Sequence, residues 1–232
     1  MRRGSDGDDA QGMTTLAASS NTARGASSVP SRRTLVGISV AILLALVAVL
    51  ATGGADNEPD SSLSTVKDSY DYSQLTLHVL SYSGMVLCAL MVFLGVALRA
   101  ALRSQRQQHW AADAAMLGLT VVGLTVAGWA VSGLAMWHAV DQGEDASIRT
   151  LNFLDTASFL PLMMGMICAY VGTGIAGLNS GALPKWLAVA SIVLGCLAPL
   201  GPLGFAPATL LPLWVVVVSA LVRLGEGEAL AP

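Results

Sequence analysis

The sequence predicts an all-α protein, a polytopic membrane helix bundle with six transmembrane helices and both termini in the cytoplasm. Three observations lead to this fold class. First, the 232-residue chain is 54% apolar and only 12% charged, whereas an ordinary soluble domain is ~25% charged. Second, its mean hydropathy is +0.65, and the apolar residues gather into six stretches. Third, lysines and arginines concentrate on alternate connections between those stretches.

A transmembrane helix needs ~20 apolar residues to cross the ~30 Å hydrocarbon layer, and backbone groups in lipid must be satisfied within the segment. Residues 1–33 are polar and aperiodic, so we expect a disordered cytoplasmic tail. Residues 34–224 form the predicted transmembrane domain, and 225–232 form a second short tail. The predicted spans lie at about 35–53, 75–98, 114–140, 151–178, 186–205 and 206–222.

The distribution of positive charge gives the orientation, because cytoplasmic connections are enriched in Lys and Arg. With the N-terminus inside, ten of the twelve basic residues lie on inner segments. Only Lys67 and Arg149 lie outside, where acidic residues collect instead. Two lysines against ten arginines fit a GC-rich bacterial coding bias. We therefore expect a multi-pass protein of a bacterial cytoplasmic membrane.

The first span has a second interpretation. Ser31-Arg32-Arg33 before an apolar core resembles a twin-arginine export signal, and Gly53 and Ala55 are small residues suited to cleavage. Cleavage after Ala55 would leave five spans with an outer N-terminus. The length of the preceding tail favours an uncleaved anchor.

Composition and motifs exclude several functions. The net charge of −3 leaves no basic excess for nucleic acid. Cys88, Cys168 and Cys196 lie in apolar runs without CxxC spacing, so no zinc site and no cofactor is predicted. GxxxxGK[ST], HExxH and GxSxG are absent. The sequence thus favours a non-enzymatic structural, accessory or sensory protein, with lipid and other membrane proteins or a second copy as partners.

Small residues recur every fourth position in the fourth span: Gly165, Ala169, Thr173 and Gly177. Such a ridge lets two helix backbones approach closely. It predicts either a dimer interface or a seam inside the bundle, and a six-helix chain needs internal seams.

Four prolines cluster where the fifth span meets the sixth: Pro199, Pro202, Pro207 and Pro212. Proline removes an intrahelical hydrogen bond, so we expect two short or kinked helices joined by a tight outer hairpin. Broken spans can also form transporter binding sites, although the first three spans show no matching break.

Arg99, Arg103 and Arg106 share one helical face near Trp110. Arginines next to an interfacial aromatic residue suit contact with anionic lipid headgroups. Asp113 is near enough in sequence to pair with them.

Ionisable groups inside spans are the residues most suited to a function. His78, His138, Asp155 and Asn152 are predicted at similar depth near the outer surface. They can be solvated separately, form a hydrogen-bonded cluster, or bind Zn²⁺, Cu²⁺ or protons. The last possibility gives the alternative function, a small transporter or a metal- or proton-handling membrane protein.

The segment Leu183-Pro-Lys-Trp-Leu-Ala-Val-Ala-Ser-Ile-Val-Leu-Gly resembles part of a group of bacterial multi-pass proteins, as do Gly201-Pro-Leu-Gly-Phe and Leu213-Trp-Val-Val-Val-Val-Ser. In that group a Leu-Pro-x-Trp-Leu turn opens the penultimate span. The resemblance covers the C-terminal part of the chain. It implies a helical membrane bundle and assigns no activity and no functional residue.

Overall fold

A computed structural model describes residues 31–51, 61–70, 74–103 and 110–224. The described residues are almost entirely helical and contain no strand, which confirms the all-α prediction. Most of the predicted N-terminal tail, the tail at 225–232 and Arg106 lie outside them. The helices are α1 (Arg32–Ala51), α2 (Leu63–Ser69), α3 (Gln74–Arg103), α4 (Trp110–Gln142), α5 (Asp145–Ala157), α6 (Phe159–Ser180), α7 (Lys185–Leu197) and α8 (Phe205–Leu221).

Three segments are long and apolar enough to cross a membrane: Leu75–Arg103, Trp110–Gln142 and Asp145–Ser180. Helix α4 lies between α3 and α6 and packs closely against both. At Gly118 of α4, an added Cβ atom would lie 2.2 Å from the backbone nitrogen of Ala169 on α6. The two backbones therefore touch at this point, which only glycine permits.

The small-residue ridge of α6 is covered by helices of the same chain. Gly165, Ala169, Thr173 and Gly177 are all buried, with Gly165 facing Val122 on α4 and Gly177 facing Leu183 before α7. The ridge thus lies in an internal seam of the bundle, where its four residues are covered by other parts of the same chain.

Helix α1 is part of the bundle core. It packs against α3 and α8, and Leu35, Ser39 and Ile42 are fully buried. The hydroxyl oxygens of Ser39 and Ser219 lie 2.6 Å apart between α1 and α8.

The proline-rich hairpin forms, but α7 is shorter than the predicted fifth span, with 13 residues. Helix α7 ends at Leu197, a 3-10 turn covers Gly201–Gly204, and α8 begins at Phe205. Pro199 has no N–H to donate to an earlier carbonyl, which accounts for the early end of α7.

A second, smaller apolar cluster lies beside the bundle and is called the cap. It consists of α2, the end of α4 from Ser132, and α5. Its core contains Val66, Tyr70, Met136, Ala139 and Ile148. The sequence predicted connecting loops only for α2 and for residues 141–150, and it placed the rest of the cap inside the third and fourth spans. Ser62 caps α2 by accepting a hydrogen bond from the Thr65 N–H, and Gly143, at a φ of 72°, ends α4.

The predicted fourth span is two helices. Helix α5 begins earlier than expected, at Asp145, and the chain turns at Ser158 before α6 starts. Pro161 lies in the first turn of α6, where a missing N–H costs least. The same missing N–H leaves the carbonyl of Ala157 without a helical donor, so the two helices do not continue as one.

Candidate functional site

The candidate site lies where the cap meets the bundle, and we call it the joint. It consists of Trp129 and Ser132 on α4, Asp155 on α5, and Ser158 between α5 and α6. The Ser132 hydroxyl lies 3.1 Å from Oδ1 of Asp155 and donates a hydrogen bond to it. This bond joins a carboxylate of the cap to the central helix of the bundle.

Further hydrogen bonds hold the turn at Ser158. Its hydroxyl donates to the main-chain carbonyl of Asp155 at 2.5 Å, and the indole N–H of Trp129 donates to the same hydroxyl oxygen. The Ser132 hydroxyl also lies 3.1 Å from the carbonyl of Trp129. All four residues of the joint therefore belong to one connected network.

The aromatic side chains beneath the joint bring in the proline hairpin. The rings of Trp129 and Phe159 stack with centroids 6.5 Å apart, and Phe159 meets Phe205 at 5.4 Å. Because Phe205 begins α8, the tip of the α7–α8 hairpin reaches the level of the joint.

Asp155 is half-buried without a cation beside it. In the part of the chain that the structure describes, the ion pairs are Lys67 with Asp145, and Arg99 and Arg103 with Asp113. The hydroxyl of Ser132 is thus a neutral donor to a carboxyl group with no positive partner within 4 Å. Protonation of such a carboxyl group costs little free energy, because no neighbouring positive charge stabilises its carboxylate form.

The other predicted members of the outer cluster lie in different surroundings. Asn152 is buried one turn before Asp155. His78 is exposed beside Tyr82 at 6.5 Å, and His138 is exposed against its neighbour Trp137. Helix α4 continues beyond the joint, so His138 lies about 9 Å past Ser132 along the helix axis.

No metal centre results from this arrangement. Among residues 31–51, 61–70, 74–103 and 110–224, no group of three His, Cys, Asp or Glu side chains could hold a metal ion. His78, His138 and Asp155 are therefore not brought together as ligands. Spacing within single helices could not have tested this, since the three residues lie on three helices.

A second polar site lies at the opposite end of α4. Arg99 Nε donates to Oδ1 of Asp113 at 2.5 Å, and Arg103 donates to Oδ2 of the same carboxylate. The face predicted to meet headgroups is thus turned partly toward Asp113. Trp110 is exposed nearby.

Ser132, Trp129 and Ser158 were not predicted as site residues. Pro161 was the sequence signal that could have located this site, because proline favours the first turn of a helix. A helix start near Pro161 would have divided the predicted fourth span close to Asp155. Nothing in the sequence indicates which residues of α4 face that division.

Comparison with known proteins gave no match to a family, to a curated protein or to a solved structure. The resemblance around Leu183 to Leu187 therefore stays a prediction.

Proposed function

We propose that the chain is an integral membrane protein with six crossings, whose cap lies outside the cytoplasmic membrane. One observation carries the proposal. Along α4, the Arg99–Arg103–Asp113 site and the joint are separated by about 28 Å from Asp113 to Ser132, close to the ~30 Å thickness of the hydrocarbon layer. The polar groups of the central helix thus occur one membrane thickness apart.

The six crossings are α1, α3, α4, α6 and the two limbs of the hairpin. Helix α7 has only 13 residues, about 20 Å of helix. The contact of Phe205 with Phe159 supports a full crossing, because the hairpin tip lies at the same level as the start of α6.

Both termini are proposed to face the cytoplasm. Arg32 donates a hydrogen bond to the carbonyl of Ala220, and the Arg223 N–H donates to the carbonyl of Ala182 at 2.7 Å. These contacts place the start of α1, the end of α8 and the α6–α7 turn at one end of the bundle. That end carries the basic residues, as the positive-inside rule requires.

The role we propose is non-enzymatic, either structural and accessory or sensory. Helix α4 supports it as one uninterrupted helix of 33 residues that belongs to both the bundle and the cap core. A displacement of the cap would therefore be transmitted along α4 to the Asp113 site at its other end. A metal-transporting role has no such support in the described residues.

Single-cysteine labelling tests the topology. The three native cysteines are replaced by alanine, and a membrane-impermeant maleimide is applied to spheroplasts and to inside-out vesicles. We expect Ala146→Cys to label only in spheroplasts and Arg223→Cys only in inside-out vesicles. Leu124→Cys, which is exposed halfway along α4, is the control and should react in neither. Labelling of Ala146→Cys and Arg223→Cys from the same side would overturn the proposal.

Complementation of a gene deletion tests the role. A cap carrying Ile148→Asp should fail to restore the wild-type phenotype at normal membrane levels, since Ile148 is fully buried in the cap core. Gly128→Ala, with open space around its added methyl, should restore it. Full complementation by Ile148→Asp would place the role outside the cap.

A further inference from the structure

We propose that the joint is a proton-binding site, in which uptake of one proton by Asp155 fastens the cap to the bundle. The proposal rests on the geometry of the joint and on no assumption about membrane orientation. It goes beyond the structural or sensory role, because it names the ligand and the residue that takes it.

The Ser132 hydroxyl can form a hydrogen bond with Asp155 whether the Asp155 carboxyl group is ionised or protonated. It lies 3.1 Å from Oδ1 of Asp155 and also 3.1 Å from the carbonyl oxygen of Trp129. With Asp155 ionised, Ser132 donates its proton to the carboxylate. With Asp155 protonated, the carboxyl O–H donates to Ser132 Oγ, and Ser132 turns its own proton to the Trp129 carbonyl. The proton comes from water, and no other bond changes.

We call the joint closed when Asp155 and Ser132 are in contact, as they are in the structure. The charge on the Asp155 carboxyl group decides how stable this closed joint is. A half-buried carboxylate without a cation loses hydration that one neutral hydroxyl does not replace. Removing that charge by protonation therefore favours the closed joint. By linkage, whatever closes the joint also favours proton uptake.

Among the residues that the structure describes, the groups that face Asp155 from the packed elements are uncharged. Helix α4 contributes Trp129 and Ser132, and Ser158 and Phe159 follow at the start of α6. Charged and titratable cap residues stand farther along the helices: Lys67 and Asp145, which pair with each other at 2.8 Å, and Arg149, His138 and Asp141. Of these residues, His138 is an imidazole on the helix that carries Ser132, so the test includes a His138 variant beside Asp155.

The backbone of the joint is interrupted between α5 and α6, which allows the cap to bend relative to the bundle. At Ser158 the chain keeps hydrogen bonds from its N–H to the carbonyls of Leu154 and Asp155, at 3.0 and 3.2 Å. Pro161 offers no N–H to extend the ladder across the turn. A change of charge at Asp155 therefore acts within one turn of the break in the helical hydrogen bonds.

Hydrogen–deuterium exchange of the full chain in detergent micelles tests the proposal, with rates corrected for the pH dependence of intrinsic exchange. In the wild type we expect protection of residues 145–158 to fall about tenfold as pH rises through the titration, which corresponds to a tenfold preference of the closed joint for the proton. Asp155→Asn keeps the shape without the charge and should stay protected at every pH. Asp141→Asn, an exposed cap carboxylate, and His138→Gln should both keep the wild-type response.

A second readout needs no variant to fold. Infrared difference spectra of the wild type with isotope-labelled aspartate should contain a carboxylic-acid C=O band that disappears over the same pH range. A pH response that persists in Asp155→Asn, that is lost in His138→Gln, or that is absent from the wild type would overturn the proposal. Because these measurements use micelles, they fail or succeed independently of the labelling that tests membrane topology.

Discussion

The hydroxyl of Ser219 donates a hydrogen bond to the hydroxyl of Ser39 across the contact between α8 and α1. The oxygens lie 2.6 Å apart, and the Ser39 hydroxyl donates its own hydrogen bond to the carbonyl of Leu35 at 2.9 Å. Both serines are buried. Without α1, the hydroxyl of Ser219 and the apolar side chains around it would face lipid.

We therefore predict that α1 remains part of the mature protein. Removing a helix with Leu35, Ser39 and Ile42 fully buried would uncover one side of the bundle. Intact mass spectrometry of C-terminally tagged protein from membranes should give one species that includes α1. A mature chain starting at Asp56 would restore the export-signal interpretation.

The contact of Gly118 with Ala169 predicts a strong effect of a single methyl group. Gly118→Ala should lower the free energy of unfolding by about 3 kcal/mol, the upper end of overpacking costs, because the added Cβ would lie 2.2 Å from a backbone nitrogen. Gly128→Ala is the matched control on the same helix, with nothing within 4 Å of its Cβ. Unfolding in mixed micelles measures both, and equal stability of the two variants would contradict the prediction.

Hydropathy predicted the all-α fold, because a helix that crosses a membrane needs a long apolar run. It was a weaker guide where helices are short. The amphipathic α5 has a polar composition that resembles a loop, and α2 has seven residues. Both helices depend on packing against Met136 and Ala139, and a contact between distant segments leaves no periodic signal in either one.

The candidate site was predicted only in part. Asp155 was identified because a carboxylate within an apolar stretch is costly. Its partner Ser132 was not identified, since serine in an apolar helix usually bonds to its own backbone. The site of Arg99, Arg103 and Asp113 was nearer to prediction, because these residues flank one short connection.

The indole of Trp214 and the hydroxyl of Ser191 predict a measurable coupling inside the hairpin. Trp214 Nε1 donates to Ser191 Oγ at 2.8 Å, and both residues are buried. A double-mutant cycle with Trp214→Phe and Ser191→Ala should give a coupling of about 0.6–1.7 kcal/mol, from the average to the maximum found for hydrogen bonds between membrane helices. Pairing Trp214→Phe with Thr209→Ala, whose hydroxyl bonds to its own helix, should give additive effects. A coupling near zero for the first pair would refute the contact.

The cap core predicts local rather than global loss of structure. Ile148→Ala removes a fully buried side chain and should cost about 2–4 kcal/mol of cap stability. Because the cap core is separate from the bundle core, hydrogen exchange should accelerate in residues 145–157 and stay slow in 165–177. Thr150→Ala, an exposed change on the same helix, should alter neither segment. Uniform acceleration would mean that cap and bundle unfold as one unit.

The ion pairs of Asp113 with Arg99 and Arg103 predict that Asp113 contributes to the thermal stability of the protein. Asp113→Asn leaves the guanidinium groups of Arg99 and Arg103 repelling each other, so we expect a lower Tm. Part of the loss should disappear at high salt, because half-exposed charges are screened. The exchanged pair Arg99→Asp with Asp113→Arg should be more stable than either single variant, since it restores opposite charges at the 2.5 Å contact. Arg149→Gln, which removes a basic residue from the cap, serves as the control and should leave Tm unchanged. An Asp113→Asn variant as stable as the wild type at low salt would show that the contact contributes nothing to stability.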